Sequence, residues 1–222
     1  MTLSLNRLAL FDCDGTLVDS QHDIVEAMNR CFELVRLTPP ARPQVLSVIG
    51  LSLPIAMSRL VPDAEPDFHD HLAEQYKLAF QAMRQASGVS EPLYPGIADL
   101  VTQLAEEGWM LGVATGKSDR GLRLCLERHG IHDHFITLQT ADRHPSKPHP
   151  SMVLTAMAEA GVVPGSTVMI GDTSFDMEMA VNAQVRAVGV AWGYHAAEEL
   201  IAAGACAVAV DMDELATHIA AA

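Results

Sequence analysis

Long apolar runs are absent from this 222-residue chain, and no stretch is long enough to span the hydrocarbon core of a bilayer. The first residues also lack the basic region and uninterrupted apolar segment that are typical of a signal peptide. The four cysteines form no C-x-x-C pair, which favours reduced and mostly buried thiols over a disulfide framework. We therefore expect a cytoplasmic protein.

Basic residues are scarce as well, because 14 lysines and arginines stand against 28 aspartates and glutamates, for a formal net charge of −14. A field of this sign repels nucleic-acid backbones and anionic membrane surfaces, so we expect neither as a partner. It also repels small phosphorylated molecules. If the chain binds a phosphate group, the attraction has to be local, from a cation, a lysine or a helix N-terminus. The sequence indicates no oligomeric state.

Short apolar segments alternate with segments of helical periodicity from about residue 95 to the end of the chain. This alternation is typical of βαβ units, which place parallel strands in one sheet. An apolar run at Leu8–Phe11 supplies a first strand. The pattern predicts an α/β fold with a doubly wound, Rossmann-like parallel sheet, and strands at 8–11, 110–114, 135–138, 167–170, 186–191 and 206–210.

The stretch after the first strand differs from the rest because it has helical periodicity and no strand pattern. Phe68, Leu72 and Tyr76, for example, recur along one face of a long predicted helix. A parallel sheet that is interrupted after its first strand by a helical block predicts an inserted domain. We expect a core of residues 1–16 and 88–222, with an all-helical cap domain of residues 17–87.

The first strand runs directly into Asp12, Cys13, Asp14, Gly15 and Thr16. Residues two apart in extended backbone share a face, so we expect Asp12 and Asp14 to point the same way. Two neighbouring carboxylates repel each other unless a cation or a shared proton relieves them. Gly15 permits a tight turn, and the Thr16 hydroxyl can cap it. An isolated Asp-x-Asp is usually a solvated turn, so a functional interpretation depends on the other loops.

Polar residues also follow three later strands. The segment 115–117, Thr-Gly-Lys, follows the second strand, Lys147 lies in the loop after the third, and Asp172 and Asp176 follow the fourth. In an open α/β sheet, ligands bind outside the carboxyl ends of the strands. We therefore expect four loops to bring carboxylates, a hydroxyl and an ammonium to one crevice.

These residue types suit metal-assisted phosphoryl transfer. A carboxylate can attack phosphorus and so divide one difficult step into two. Mg²⁺, a hard cation that prefers oxygen ligands, offsets the repulsion between that carboxylate and the phosphate. A lysine and a threonine hydroxyl can hold the phosphoryl oxygens, and a second carboxylate can protonate the leaving oxygen and then activate water. The sequence thus favours an enzyme that acts on a small phosphorylated metabolite.

Four motifs resemble, in this order, those of the haloacid dehalogenase superfamily: Asp-x-Asp-Gly-Thr at 12–16, Thr115, Lys147 before a proline, and Gly-Asp-x-x-x-Asp at 171–176. The helical insertion after the first motif is similar to the subclass with a cap at that place. Leu-Val-Asp-Ser at 17–20 resembles its phosphoglycolate phosphatase-like branch. The resemblance implies a Mg²⁺-dependent phosphatase that works through an aspartyl phosphate, with phosphoglycolate as the leading substrate.

The resemblance assigns most of the chemistry to aspartates. Asp12 would be the nucleophile, and Asp14 would be the general acid and base. The metal ligands would be Asp12, Asp172 and Asp14, the last through its backbone carbonyl. Asp176 would either assist the metal or orient Lys147.

Phosphate binding falls, by the same resemblance, to the loops after the second and third strands. Thr115, Gly116 and Lys147 would hold the phosphoryl group, and the threonine and the lysine would act in catalysis together with the two aspartates of the first motif. Gly15 and Thr16 would support the site by shaping the first turn.

Other members of the superfamily are the nearest alternatives. Its dehalogenases and phosphonatases lack an aspartate two residues after the nucleophile, so Asp14 favours phosphate-ester chemistry. Its sugar-phosphate mutases typically have a cap histidine twelve residues after the nucleophile, where this chain has Ile24, and His22 is expected on another helical face. A mutase or a pyrophosphatase of the same superfamily is the enzyme alternative.

Two non-enzyme alternatives use similar residues. A phosphoaccepting receiver places its phosphoacceptor after the third strand, whereas here Asp142 comes several residues beyond the predicted strand at 135–138. A catalytically inactive scaffold is disfavoured because every motif position is filled.

The sequence leaves several roles open. Substrate selection is expected in the cap, at Gly50 and Arg59. Lys117 either assists phosphate binding or faces water at the start of a helix. His144 and His149, on either side of the motif lysine, either contact the substrate or are solvated. The identity of the phosphorylated substrate is also open.

Overall fold

A computed structural model describes residues 6–86 and 90–221. Its strands are β1 Arg7–Phe11, β2 Trp109–Thr115, β3 Phe135–Thr140, β4 Thr167–Gly171, β5 Arg186–Val190 and β6 Ala207–Ala209. All six pair in parallel in the order β3-β2-β1-β4-β5-β6. The predicted doubly wound parallel sheet is confirmed.

Ten α-helices connect these strands within the described residues. They are α1 Gln21–Leu34, α2 Arg42–Leu46, α3 Leu53–Leu60, α4 Pro66–Ala86, α5 Ile97–Glu106, α6 Asp119–Arg128, α7 Ser151–Ala160, α8 Ser174–Asn182, α9 Ala197–Ala202 and α10 Met212–Ala220. Helices α1 to α4 all lie between β1 and β2 in the chain, and the others alternate with strands. None of the described helices is long and apolar enough to cross a bilayer.

Strand β1 is buried on both faces, as its continuous apolar run predicts. Leu8, Ala9, Leu10 and Phe11 are all completely buried. Ala9 and Phe11 belong to the apolar cluster that α5, α6 and α10 cover, whereas Leu8 and Leu10 belong to the cluster beneath α7, α8 and α9. Truncating a side chain such as Phe11 to alanine would destabilise the fold by about 3–5 kcal/mol. This strand anchors the loop that carries the first motif.

The order of the strands reverses at β1, which pairs with β2 on one side and with β4 on the other. The chain builds β2 and β3 on one side before it crosses back to β4. The carboxyl ends of β1, β2 and β4 are therefore neighbours at the switch point, where open α/β sheets bind ligands.

Helices α1 to α4 have an apolar cluster of their own. Ile24, Cys31, Phe32, Leu72 and Tyr76 are among its buried members. These residues come from α1 and α4 at the helical spacing that the sequence predicts. The predicted boundary at residues 87 and 88 lies outside the described residues, as do residues 1–5 at the start of the predicted core.

The two connections between these helices and the sheet run side by side. Val18 and Leu93 form an antiparallel bridge. The Asp19 N–H donates to the carbonyl of Pro92 at 2.9 Å, and the Tyr94 N–H donates to the carbonyl of Leu17 at 3.0 Å. The helical block therefore leaves and rejoins the core at one place.

The ends of some elements differ from prediction by one or two residues. Strand β3 continues to Thr140, because its last residues pair with Ala114 and Thr115 of β2. Asp142 is consequently two residues beyond the strand. Three of the cysteines are buried and free as expected, whereas Cys206 is exposed.

Candidate active site

The loop after β1 holds a carboxylate with one oxygen engaged and one unpaired. Asp12 is completely buried. Its Oδ1 accepts hydrogen bonds from the Cys13 N–H at 2.6 Å and from Lys147 Nζ at 2.9 Å. Its Oδ2 is buried without any hydrogen-bond partner among the described residues. A buried carboxylate oxygen without a hydrogen-bond partner is energetically unfavourable. Its presence here indicates that a bound ligand or ion supplies the missing partner.

Lys147 lies between two carboxylates. Its side chain is fully buried, and its Nζ is 2.9 Å from Asp12 Oδ1 and 2.6 Å from Asp176 Oδ1. Asp176 is itself fixed at the start of α8, since its Oδ2 accepts from the N–H and the hydroxyl of Thr173. Of the two roles that the sequence leaves open for Asp176, the contact with the lysine is the one that its geometry favours.

Asp172 is held from two sides at the end of β4. Its Oδ1 accepts from the Thr16 hydroxyl at 2.8 Å, and its Oδ2 accepts from the Tyr194 N–H at 3.0 Å. Gly15, at a φ of +85°, and Gly193 both approach it so closely that an added Cβ would lie 2.1 Å from Asp172 atoms. Only glycine fits either position. The sequence predicts Gly15 and Thr16 as supporting residues, and it misses Gly193 and Tyr194.

Three buried carboxylates share this region with one ammonium. Oxygens of Asp12, Asp172 and Asp176 all lie within 4.8 Å of one another. Burial raises the pKa of Asp12 to about 7 against the opposing effect of Lys147. The pKa of Asp172 is raised well above its ordinary range, mainly by burial and secondly by the negative charge of Asp12. Burial alone would lower the pKa of Lys147, but the two carboxylates beside it raise the pKa instead.

With all three carboxylates ionised, the cluster carries a net negative charge even after the lysine is counted. A hard divalent cation with oxygen ligands, such as Mg²⁺, fits this donor set and would balance the excess charge. Asp12, whose Oδ2 is unpartnered, belongs to the same cluster of carboxylates as Asp172. The residues present thus suit the predicted cation.

The carboxylate of Asp14 is not one of this group. It accepts a hydrogen bond from the Ser20 hydroxyl and pairs with Lys117 Nζ at 2.9 Å. The expectation that Asp12 and Asp14 share a face is wrong in this respect, because β1 ends at Phe11 and the backbone turns before Gly15. Asp14 does reach the adjacent cavity, which it helps to line.

Lys117 does not face water, so one of its two predicted roles is wrong. Its side chain is 10 % exposed and pairs with Glu91 Oε1 at 2.6 Å as well as with Asp14. Burial alone would lower the pKa of Lys117. The charges of Asp14 and Glu91 oppose this effect and raise the pKa well above its ordinary value, so the ammonium stays charged. Glu91 also pairs with Arg84 of α4 at 3.2 Å. The sequence includes Ser20 in the Leu-Val-Asp-Ser motif but predicts no contact for it, and it gives no signal for Glu91, because the partners of both residues are set by tertiary packing.

The loop after β2 contacts the loop before α3. Thr115 is buried, and its Oγ1 accepts from the Lys117 N–H at 3.3 Å. A Cβ on Gly116 would lie 2.7 Å from the carbonyl oxygen of Leu51 and 2.8 Å from that of Gly50. The predicted phosphate-binding loop thus lies directly against the helical block.

A cavity of about 340 Å³ opens between the helical block and the core. Gly50 lines it, together with Asp14 and Gly116. Arg59 does not line it, and instead its guanidinium lies 4.7 Å from the ring centre of Phe175. Of the two residues predicted to select the substrate, the structure brings only Gly50 to this cavity.

The two histidines near Lys147 make contacts within the protein. His144 bonds to Ser151 Oγ and to Gln139 Oε1, both at 2.8 Å, and burial lowers its pKa. His149 is exposed and accepts from the Ser151 N–H at 3.2 Å. Neither histidine lines the cavity beside Asp14.

Comparison with known proteins gives a family match over most of the chain. A model described as haloacid dehalogenase-like hydrolase matches residues 9–190. A probable phosphatase, IndB, of Dickeya dadantii is 35% identical over 204 residues, which cover 90% of this chain and 87% of the relative. A phosphoglycolate phosphatase of Pseudomonas putida is 30% identical over 195 residues, or 86% of this chain and 72% of the relative.

Solved structures have the same fold over nearly the whole chain. A predicted phosphatase from Clostridium acetobutylicum superposes with a TM-score of 0.86 at 24% identity and covers 99% of this chain and 100% of the other. A hydrolase from Pseudomonas syringae does so with a TM-score of 0.85 at 25% identity, over 97% of this chain and 99% of the other.

Proposed function

Because the chain belongs to the family of haloacid dehalogenase-like hydrolases, we propose that it is a Mg²⁺-dependent phosphatase that hydrolyses a small phosphorylated metabolite through phospho-Asp12. The observation that carries this proposal is the buried Oδ2 of Asp12, which has no partner in the described chain although Lys147 holds the other oxygen. The names of the relatives, probable phosphatase and phosphoglycolate phosphatase, support the same reaction class.

In the first step, Asp12 Oδ2 attacks phosphorus as the bond between phosphorus and the ester oxygen breaks. Lys147 and the loop at Thr115 and Gly116 hold the phosphoryl oxygens. Asp14, at the edge of the cavity, donates a proton to the leaving oxygen, so the product departs as a neutral alcohol. The phosphoryl group is then esterified to Asp12.

In the second step, water attacks the phosphorus of phospho-Asp12 and releases inorganic phosphate. Asp14 takes a proton from that water and so returns to its first state. Asp12 and Asp172, with the backbone carbonyl of Asp14, are the residues that would hold Mg²⁺. When bound, the ion supplies positive charge that offsets repulsion between the carboxylate and the phosphate.

We further propose that residues 17–87 act as a cap that limits the access of water. Three contacts of the loop before α3 support this role. Gly50 and Leu51 lie against Gly116, and the Ser52 N–H donates to Ser146 Oγ at 2.8 Å, one residue before the motif lysine. Gly50 is also close to Thr173, which an added Cβ would approach to 3.3 Å.

The surroundings of the cavity favour a hydrolase over a mutase or a receiver. Ile24, at the position where the mutases have a histidine, lines the cavity and offers no group for proton transfer. His22 is exposed and does not line it. Asp142 is exposed and accepts from the Asp119 N–H, so it is engaged away from Asp12.

Turnover of p-nitrophenyl phosphate with Mg²⁺ tests the proposal. Asp12→Asn should abolish sustained release of p-nitrophenol, whereas Asp70→Asn, which removes one exposed carboxylate of α4, should leave it unchanged. Acid quenching of the wild type during turnover should trap a phosphoryl group on Asp12. Full activity in Asp12→Asn would contradict covalent catalysis, and a burst without sustained turnover in the wild type would favour a receiver.

A further inference from the structure

The cavity beside Asp14 has an apolar body. Ile24 and Met28 of α1, Phe80 of α4 and Leu124 of α6 are among the side chains that line it. At about 30 Å³ per water molecule, its volume of about 340 Å³ corresponds to roughly ten waters. A leaving group as small as glycolate, with five heavy atoms, would leave most of this volume unfilled. Concave apolar space next to a catalytic group is a place where a ligand gains from desolvation.

Cations surround this apolar body in an otherwise acidic protein. Among residues 6–86 and 90–221, four basic side chains line the cavity, and the only acidic residue that does so is Asp14. Three of the four are neutralised by carboxylates: Lys77 pairs with Glu74, Lys117 pairs with Asp14 and Glu91, and Arg84 pairs with Glu91.

Arg120 is the exception among these four. It follows the N-terminal residue of α6, is exposed, and makes no ion pair or hydrogen bond with any part of the chain that the structure describes. In a chain with a formal net charge of −14, an uncompensated cation at the mouth of a cavity is a local attraction for an anion. A guanidinium is suited to a planar carboxylate because it can donate two parallel hydrogen bonds.

From the apolar cavity and the unpaired Arg120, we propose that the substrate is a phosphate monoester whose leaving group is longer than glycolate and carries an apolar body with a terminal carboxylate. This inference rests on the proposed phosphatase function. The ester oxygen lies at the Asp14 end, the apolar body contacts the walls formed by α1 and α4, and the carboxylate pairs with Arg120.

Three phosphate esters test the proposal: hexyl phosphate, its analogue with a carboxylate at the far end, and phosphoglycolate. The wild type should have the highest kcat/KM for the long carboxylate ester, at least about tenfold above phosphoglycolate. Arg120→Gln should lower kcat/KM for the long carboxylate ester by about tenfold, the loss expected for one charge-assisted contact, and should leave hexyl phosphate within about twofold.

Arg123→Gln is the matched control, because Arg123 is an exposed arginine of the same helix that does not line the cavity. It should leave all three values unchanged. Phosphoglycolate as the best substrate, or equal losses on the neutral and charged long esters in Arg120→Gln, would overturn the inference. Turnover of p-nitrophenyl phosphate separates the two proposals: if the wild type hydrolyses it, only the inference about the leaving group fails.

Discussion

Replacing Asp12 with asparagine should change the stability of the metal-free protein in a way that depends on pH. The structure places three buried carboxylates around the single ammonium of Lys147, and burial raises the pKa of Asp12 from 3.8 to about 7. A carboxyl whose pKa is higher in the folded than in the unfolded state favours folding at low pH. That contribution is complete below about pH 4 and is lost as pH rises through about 7.

The size of the effect follows from the same shift. One pKa unit corresponds to about 1.4 kcal/mol, so the full shift corresponds to about 4 kcal/mol, of which about 3 kcal/mol falls between pH 5 and pH 8. Asparagine does not titrate. The free energy of unfolding of the wild type, relative to Asp12→Asn, should therefore fall by about 3 kcal/mol over this interval in the presence of EDTA.

Urea unfolding at several pH values measures this difference, and Asp70→Asn controls for the loss of one negative charge. Added Mg²⁺ should stabilise the wild type at pH 8 by more than it stabilises Asp12→Asn, because a ligand stabilises the state that binds it. A difference between wild type and variant that stays constant from pH 5 to pH 8 would refute the account of crowded carboxylates.

Three further variants test other contacts of the site. Lys147→Met should abolish phosphatase activity and lower the free energy of unfolding by about 3–5 kcal/mol, because it leaves two buried carboxylates unpaired, and retention of either property would contradict the assigned ion pairs. Gly15→Ala should eliminate Mg²⁺-stimulated activity, since its Cβ would overlap Asp172, and a normal magnesium titration would disprove that close approach. Asp14→Asn should slow both the formation and the hydrolysis of phospho-Asp12 in rapid-quench experiments, whereas a normal rate of either step would remove its role there.

The sequence predicts the fold well because the decisive signals are local. The apolar run of β1 and the alternation of strands and helices after residue 95 depend only on neighbouring residues, and the loops at the carboxyl ends of the strands follow from the topology. Asp12, Lys147 and Asp172 therefore come together as expected from their positions.

The orientation of individual side chains is harder to predict. The two-residue periodicity that places Asp14 beside Asp12 applies only to extended backbone, and the turn at Gly15 directs that carboxylate to Ser20 and Lys117 instead. The same limit applies to the cavity. Arg120 has no motif around it, and its place at the cavity depends on how α6 packs against the helical block.

The antiparallel bridge between Val18 and Leu93 has an evolutionary consequence. The two connecting segments are hydrogen-bonded to each other, so the helices between them are attached to the sheet in the same way as one long surface loop. The entropic cost of closing such a loop depends only weakly on its length. A different inserted domain could replace these helices between Val18 and Leu93 without altering the pairing of the strands. The protein can thus change what it recognises while the residues that break the phosphate ester keep their places.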